Sequence, residues 1–63
     1  MRITIFFESG RREYLDLVTD VSLSKDDEDN EYVTVTKLNM DTCYYERENW
    51  RSEMISHISC KIY

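Results

Sequence analysis

Two cysteines, one histidine and a run of acids are the residues in this sequence that are best suited to do chemistry. Cys43, His57 and Cys60 offer the sulfur and nitrogen donors that bind zinc tetrahedrally. If the segment around Cys43 pairs with the C-terminal segment, Cys43 comes near Cys60, and Asp41, Glu46 or water would complete the ligand set. The sequence has no Cys-x-x-Cys pair, so this zinc site is a weakly specified hypothesis.

The spacing of His57 and Cys60 argues against an unbroken strand as the support of such a site. Residues three apart on a strand point to opposite faces, so both could bind one ion only across a bulge or a frayed turn. Without a metal, we expect Cys43 and Cys60 to be buried free thiols in a reducing compartment, with a disulfide as the remaining alternative.

Catalytic chemistry finds little support in the same residues. His57 could act as a general base for Ser59 or Cys60, but neighbours on a strand face apart. The sequence has a single glycine, and it contains no glycine-rich segment for an oxyanion or a phosphate. We therefore expect a protein that is not an enzyme.

The acidic loop, residues 25–31, is the sharpest change of composition in the chain. Five acids and one lysine in seven residues give it a local charge of −4. One interpretation is that its carboxylates stand where a partner expects phosphates, since arginine and lysine clusters bind both anions. Another is a solvated hairpin tip that blocks edge aggregation, and a third is a calcium site, although the spacing is not that of an EF-hand. The candidate partner-binding residues are Asp20, Asp26, Asp27, Glu28, Asp29, Glu31, Tyr32 and Tyr44.

Length and charge limit the classes of function. Sixty-three residues fit one small domain, residues 1–63, which cannot easily enclose a large cofactor cavity. Thirteen acids against eight lysines and arginines give a net charge of −5, which disfavours direct binding to nucleic acid and favours a basic partner. No run approaches the roughly 20 apolar residues of a membrane helix, and the N-terminus lacks a signal-peptide pattern. We expect no membrane association and a cytoplasmic location.

The hydrophobic pattern is mostly of period two, which predicts strands. Ile3, Ile5 and Phe7 form the inward side of a first strand, and Gly10 lies in the turn that follows. Residues 12–24 alternate as one bent strand or as two, with leucines and valines of one parity facing the core. Residues 32–38 and 42–46 predict two further strands, and residues 56–63 a last one.

A change of period near 48–54 predicts one short helix, which would carry Trp50 and Met54 inward. The predicted fold class is mainly β, with α+β as the alternative. It would be a small antiparallel sheet or a partly open barrel of four or five strands with that helix. Aromatics such as Phe6 and Tyr44 fall on the nominal solvent side, which indicates a curled sheet or a contact with a partner.

Small size, acidity, the run from Asp26 to Glu31 and the lack of catalytic motifs resemble one functional group, the small phage-encoded anti-CRISPR inhibitors of type II effectors. The resemblance covers the general profile of the chain and no diagnostic motif. It implies stoichiometric binding to a CRISPR effector nuclease, which holds its heteroduplex in a positively charged channel. No residue carries over by alignment, so the acidic residues enter on charge alone.

The sequence thus predicts a non-enzymatic protein that binds and inhibits a basic, nucleic-acid-binding protein through an acidic surface. The alternative is a small zinc-stabilised structural or interaction domain of phage or bacterial origin, whose binding surface lies elsewhere.

Overall fold

The computed structural model of the chain describes residues 1–62, so Tyr63, the end of the predicted last strand, lies outside the described residues. Six strands and one short 3-10 turn follow in order. They are β1 (Arg2–Phe7), β2 (Arg12–Leu15), β3 (Val18–Lys25), β4 (Glu31–Asn39), β5 (Tyr44–Arg51), the 3-10 turn (Ser52–Met54) and β6 (Ile55–Lys61). No helix in residues 1–62 is long and apolar enough to cross a membrane.

The strands form two antiparallel sheets of three strands each. The first sheet has the order β2-β1-β6, and the second has the order β3-β4-β5. The prediction of a mainly β, antiparallel fold is confirmed, and within the described residues the two sheets do not close into a barrel. The alternation over residues 12–24 belongs to two strands, which was one of the two expected forms.

The core lies between the sheets and is small. Ile3, Ile5 and Phe7 on the central strand β1 are buried, as their alternation predicted. They meet Leu15 and Val18 and, from the central strand of the second sheet, Val33 and Val35. Each central strand has neighbours on both sides, so its inward residues lose the most surface to water.

Leu17 marks the change from the first sheet to the second. Its φ is 57°, in the left-handed region that non-glycine residues seldom adopt. The turn reverses the parity of the alternation, so that Leu15 and Val18 are both buried while Leu17 is 40% exposed. Main-chain hydrogen bonds hold the corner: Val18 N donates to Met1 O at 2.9 Å, and Leu38 N donates to Leu17 O at 3.0 Å.

That reversal explains where the core prediction for residues 12–24 was wrong. Leu17 and Leu23 share the parity of Leu15, and both were predicted to face the core. Leu23 lies on β3, an edge strand of the second sheet, and is 68% exposed. Period-two alternation identifies one face of a strand, but it does not say whether another layer covers that face.

The predicted helix near 48–54 is shorter than expected. β5 continues to Arg51, and only Ser52–Met54 form one 3-10 turn. Trp50 therefore lies on a strand, where it still points to the core and packs edge-to-face against Phe7 with 6.3 Å between ring centroids. Met54, which was predicted to point inward, is 52% exposed.

The core can be tested with a matched pair of substitutions. Ile5→Ala removes a fully buried side chain and should lower the free energy of unfolding by about 2–5 kcal/mol. Leu23→Ala trims a side chain that is 68% exposed, and it should change that free energy by less than about 0.5 kcal/mol. Urea denaturation followed by Trp50 fluorescence measures both, and equal losses would contradict the assignment of Leu23 to the surface.

Candidate functional site

The acidic loop connects β3 to β4 as a tight hairpin. Lys25 and Glu31 are its last paired residues, and Asp26 N donates to Asn30 O at 3.1 Å. Asp29 N then closes a turn onto Asp26 O, also at 3.1 Å. Asp29 has a φ of 66°, a conformation that aspartate and asparagine adopt more readily than most residues. The loop is therefore ordered by its own main chain.

The Asp26 carboxylate organises the inside of this loop. Its Oδ1 accepts hydrogen bonds from the main-chain N–H groups of Glu28 and Asn30, each at 2.9 Å. Its Oδ2 accepts from Asn30 Nδ2 at 3.1 Å and from the Tyr32 hydroxyl at 3.3 Å. The pKa of Asp26 is lowered from its ordinary value of 3.8, chiefly by the Asn30 main-chain hydrogen bond and then by the Asn30 side chain. Asp26 thus holds the loop together and presents little free carboxylate to a partner.

Arg51 ties the loop to the end of β5. Its Nη2 donates to Asn30 Oδ1 at 2.7 Å, and its Nη1 lies 3.7 Å from Glu53 Oε1. A cleft of about 230 Å³ opens between the loop and the 3-10 turn. It is lined by Asp29, Asn30, Glu31, Arg51, Ser52 and Glu53.

The other acids of the loop are exposed. Asp29 forms an ion pair with Lys25, with 3.6 Å between Oδ1 and Nζ, although its side chain is 84% exposed. No ion pair is seen for Asp27, Glu28 or Glu31 among residues 1–62. These three carboxylates are the ones that the loop offers for charge-assisted hydrogen bonds to an approaching arginine or lysine.

Two of the predicted partner-binding residues lie away from the loop. Tyr32 is next to it, through its bond to Asp26. Asp20 precedes Lys25 by five positions on β3, or roughly 17 Å. Tyr44 begins β5, whereas the loop adjoins Arg51 at its other end, roughly 23 Å away. Asp20 and Tyr44 therefore do not form one surface with the loop.

The predicted zinc ligands are distributed over two parts of the fold. Cys43 lies in the turn between β4 and β5, with a φ of 60°, and its Sγ is 3.8 Å from Met40 O. His57 and Cys60 lie on β6, where they pair with Phe6 and Ile3 on opposite faces of β1. Among residues 1–62, no three His, Cys, Asp or Glu side chains are grouped so as to hold a metal ion.

The expectation of buried cysteines is corrected by the structure. Cys43 and Cys60 are both free and both exposed. Cys43 lies in a turn, where no strand covers it. Cys60 shares the inward face with Ile3, but it lies near the end of an edge strand and so remains open to water.

Sequence reasoning identified Tyr44 as a candidate but missed the apolar side chains that surround it, at the end of the molecule away from the acidic loop. This aromatic end consists of Tyr14, Leu17, Met40, Tyr44 and Tyr45, each at least 40% exposed. Tyr14 and Met40 line a cleft of about 290 Å³, with Lys37 and Glu46 among the polar residues of its wall. In the sequence, only the adjacent pair Tyr44-Tyr45 indicates such an apolar surface. The other three residues come from separate turns and strands, so their proximity depends on the fold.

Comparison with known proteins finds no family model, no curated protein and no solved structure that matches this chain. The candidate site therefore rests on the geometry and charge of its own residues.

The role of Asp26 can be tested separately from that of its neighbours. Asp26→Ala removes the acceptor of four donors and should speed amide hydrogen exchange at Asn30, whereas Asp27→Ala should leave that exchange unchanged. Because the folded-state pKa is lowered, the stabilisation is complete above the ordinary value of 3.8 and is lost as the pH falls through the lower folded value. NMR titration of residues 26–32 measures this, and an Asp26 that titrates at or above its ordinary pKa would contradict it.

Proposed function

We propose that the protein is a non-enzymatic interaction protein that binds a basic protein surface through the acidic loop. The observation that supports this most directly is that the acids of the loop have two different environments. Asp26 is used internally to fix the loop, while Asp27, Glu28 and Glu31 point their charge at solvent. An ordered loop loses less conformational entropy on binding than a flexible charged tail would.

The partner that fits this surface is a protein whose arginines and lysines bind nucleic acid. Such residues bind carboxylates through the same charge-assisted hydrogen bonds that they make with phosphates. Occupation of that surface by the acidic loop would exclude the nucleic acid, and the protein would act as a stoichiometric inhibitor. A CRISPR effector nuclease, with its positively charged heteroduplex channel, is the class of partner that we propose to test first.

The experiment begins with capture of partners from a host lysate and continues with purified protein. Asp27→Asn combined with Glu28→Gln should weaken binding by about two- to thirtyfold, at 0.2–1 kcal/mol for each exposed pair. The matched control is Glu8→Gln with Asp41→Asn, which changes the net charge equally at two exposed acids outside the loop. Equal affinity of the two double variants, or binding that is unchanged by salt, would contradict the role of the loop.

For the nuclease class, the readout is cleavage by a purified effector–guide complex with increasing amounts of the protein. We expect inhibition that is complete near one equivalent and weaker for the loop variant than for the control variant. A complex that neither binds the protein nor slows in its presence would remove this class of partner.

The aromatic end supports a second candidate function, binding of a partner through an apolar surface away from the loop. Tyrosine and methionine are enriched in the cores of protein interfaces, and exposed apolar patches commonly mark them. Tyr44 is 75% exposed at this end and has no role in the core.

Tyr44→Ser separates the two candidates. If the aromatic end carries the partner, affinity should fall by more than about fivefold, the level at which alanine scanning recognises an important contact. Leu23→Ser removes an apolar side chain elsewhere that is 68% exposed, against 75% for Tyr44, and should have little effect. Isothermal titration of the captured partner measures both, and affinity retained in Tyr44→Ser would assign binding to the acidic loop.

A further inference from the structure

The outer face of the first sheet carries charge of the opposite sign to the rest of the molecule. On β1, the outward residues alternate with the buried Ile3, Ile5 and Phe7, and residues paired across strands share a face. The basic face defined in this way consists of Arg2, Thr4, Phe6, Arg12, Tyr14, His57, Ser59 and Lys61. It holds three formal positive charges and one histidine, and no acid is among its members.

This face is built from three rows that run across the strands. At one end, Phe6 lies between Arg12, whose Cζ is 5.2 Å from the ring centroid, and His57, whose ring is stacked at 4.2 Å. At the other end, Arg2 pairs with Lys61. The middle row consists of the three hydroxyl side chains Tyr14, Thr4 and Ser59.

Among the described residues, two of the three cations of this face lack a carboxylate partner, whereas four of the five cations elsewhere have one and Arg47 does not. Lys25, Lys37 and Arg51 each have a carboxylate within 4 Å. Within the described part of the chain, Arg12 and Lys61 have none, and Asp16 Oδ1 lies 2.5 Å from Arg2 Nε.

We propose that the basic face binds the acidic loop of a second copy of this chain, so that molecules associate head to tail. The two surfaces are complementary in charge, since the loop carries −4 in seven residues and the face carries three cations, of which Arg2 is paired with Asp16. They are also complementary in size. The two cationic rows are four residues apart on β1, or roughly 13 Å, and the two strands of a hairpin are about 5 Å apart. A hairpin therefore fits between the two rows, with its side chains directed at the cations on either side.

The three hydroxyl side chains form the floor of this site, where they can donate to the carboxylates of an inserted hairpin. Asp27 and Glu28 lie at its turn and would pair with Arg12 or Lys61. Phe6 favours this occupant over a single nucleic acid strand, because Arg12 and His57 already contact its ring and would have to move before a base could stack on both of its faces.

Head-to-tail association would occupy the same loop that the proposed function assigns to a partner. Self-association needs only the purified chain, so its test does not depend on whether that partner is found. Each copy carries −5, so general electrostatics oppose association, and only a local contact between the loop and the face can overcome it.

The test uses sedimentation velocity of the purified chain at increasing concentration, at about 0.05 M and about 0.5 M salt. We expect association at the lower salt that disappears at the higher salt. Arg12→Gln should weaken it by about two- to fivefold, whereas Arg47→Gln, which makes the same charge change on the second sheet, should not. Equal effects of Arg12→Gln and Arg47→Gln would overturn the proposal.

Mixing complementary variants gives the sharper result. The loop variant, Asp27→Asn with Glu28→Gln, retains the basic face, and the face variant, Arg12→Gln with Lys61→Gln, retains the loop. Each alone should self-associate more weakly than the wild type, and the mixture should form a one-to-one complex more readily than either variant associates with itself. Failure of the mixture to associate, or self-association of the loop variant at the wild-type level, would overturn the proposal.

A nucleic acid arm completes the experiment. A fluorescein-labelled oligothymidine is added to the wild type and to the face variant, with fluorescence anisotropy as the readout. We expect no binding at concentrations where the chain self-associates. Binding that needs Arg12 and Lys61 and that displaces the second copy would assign the face to single-stranded nucleic acid and overturn the head-to-tail assignment.

Discussion

Burial of β1 against β4 is the interaction on which the rest of this small protein depends. Ile3 and Ile5 on one strand and Val35 on the other are completely buried, and they are the largest such side chains among the described residues. A chain of 63 residues buries only about 60% of its unfolded surface, so few residues can supply this contact. Each sheet thus keeps one central strand inside, and its edge strands and both ends remain open to solvent.

This arrangement explains why several distinct surfaces fit on so small a body. The two hairpin turns lie at opposite ends of β4. The loop from β3 leads into Glu31 at one end, and the turn to β5 follows Asn39 at the other. Charge collects in the first turn, and exposed aromatic and methionine side chains collect around the second. The outer side of the first sheet carries Arg12 and Lys61, which have no carboxylate within 4 Å among the described residues.

Local alternation predicted the strands and the buried face of β1, because Ile3, Ile5 and Phe7 lie on a strand with neighbours on both sides. It wrongly predicted that Leu17 and Leu23 face the core. The first adopts a left-handed turn that nothing in its residue type indicates, and the second is uncovered because of how the layers overlap. The acidic loop was found from composition, whereas the basic face depends on which strands pair, and that order cannot be read from spacing alone.

The internal use of Asp26 changes how the charge of the loop should be understood. In a flexible run, five acids would repel one another and spread apart, and any partner would have to pay the entropy of ordering them. Here one carboxylate accepts two main-chain and two side-chain donors, and Arg51 fixes Asn30 from outside the loop. Because the main chain is held by these bonds, the remaining acids project from defined positions along the loop. A fixed arrangement of like charges can discriminate among basic surfaces by geometry, which a disordered acidic tail cannot do.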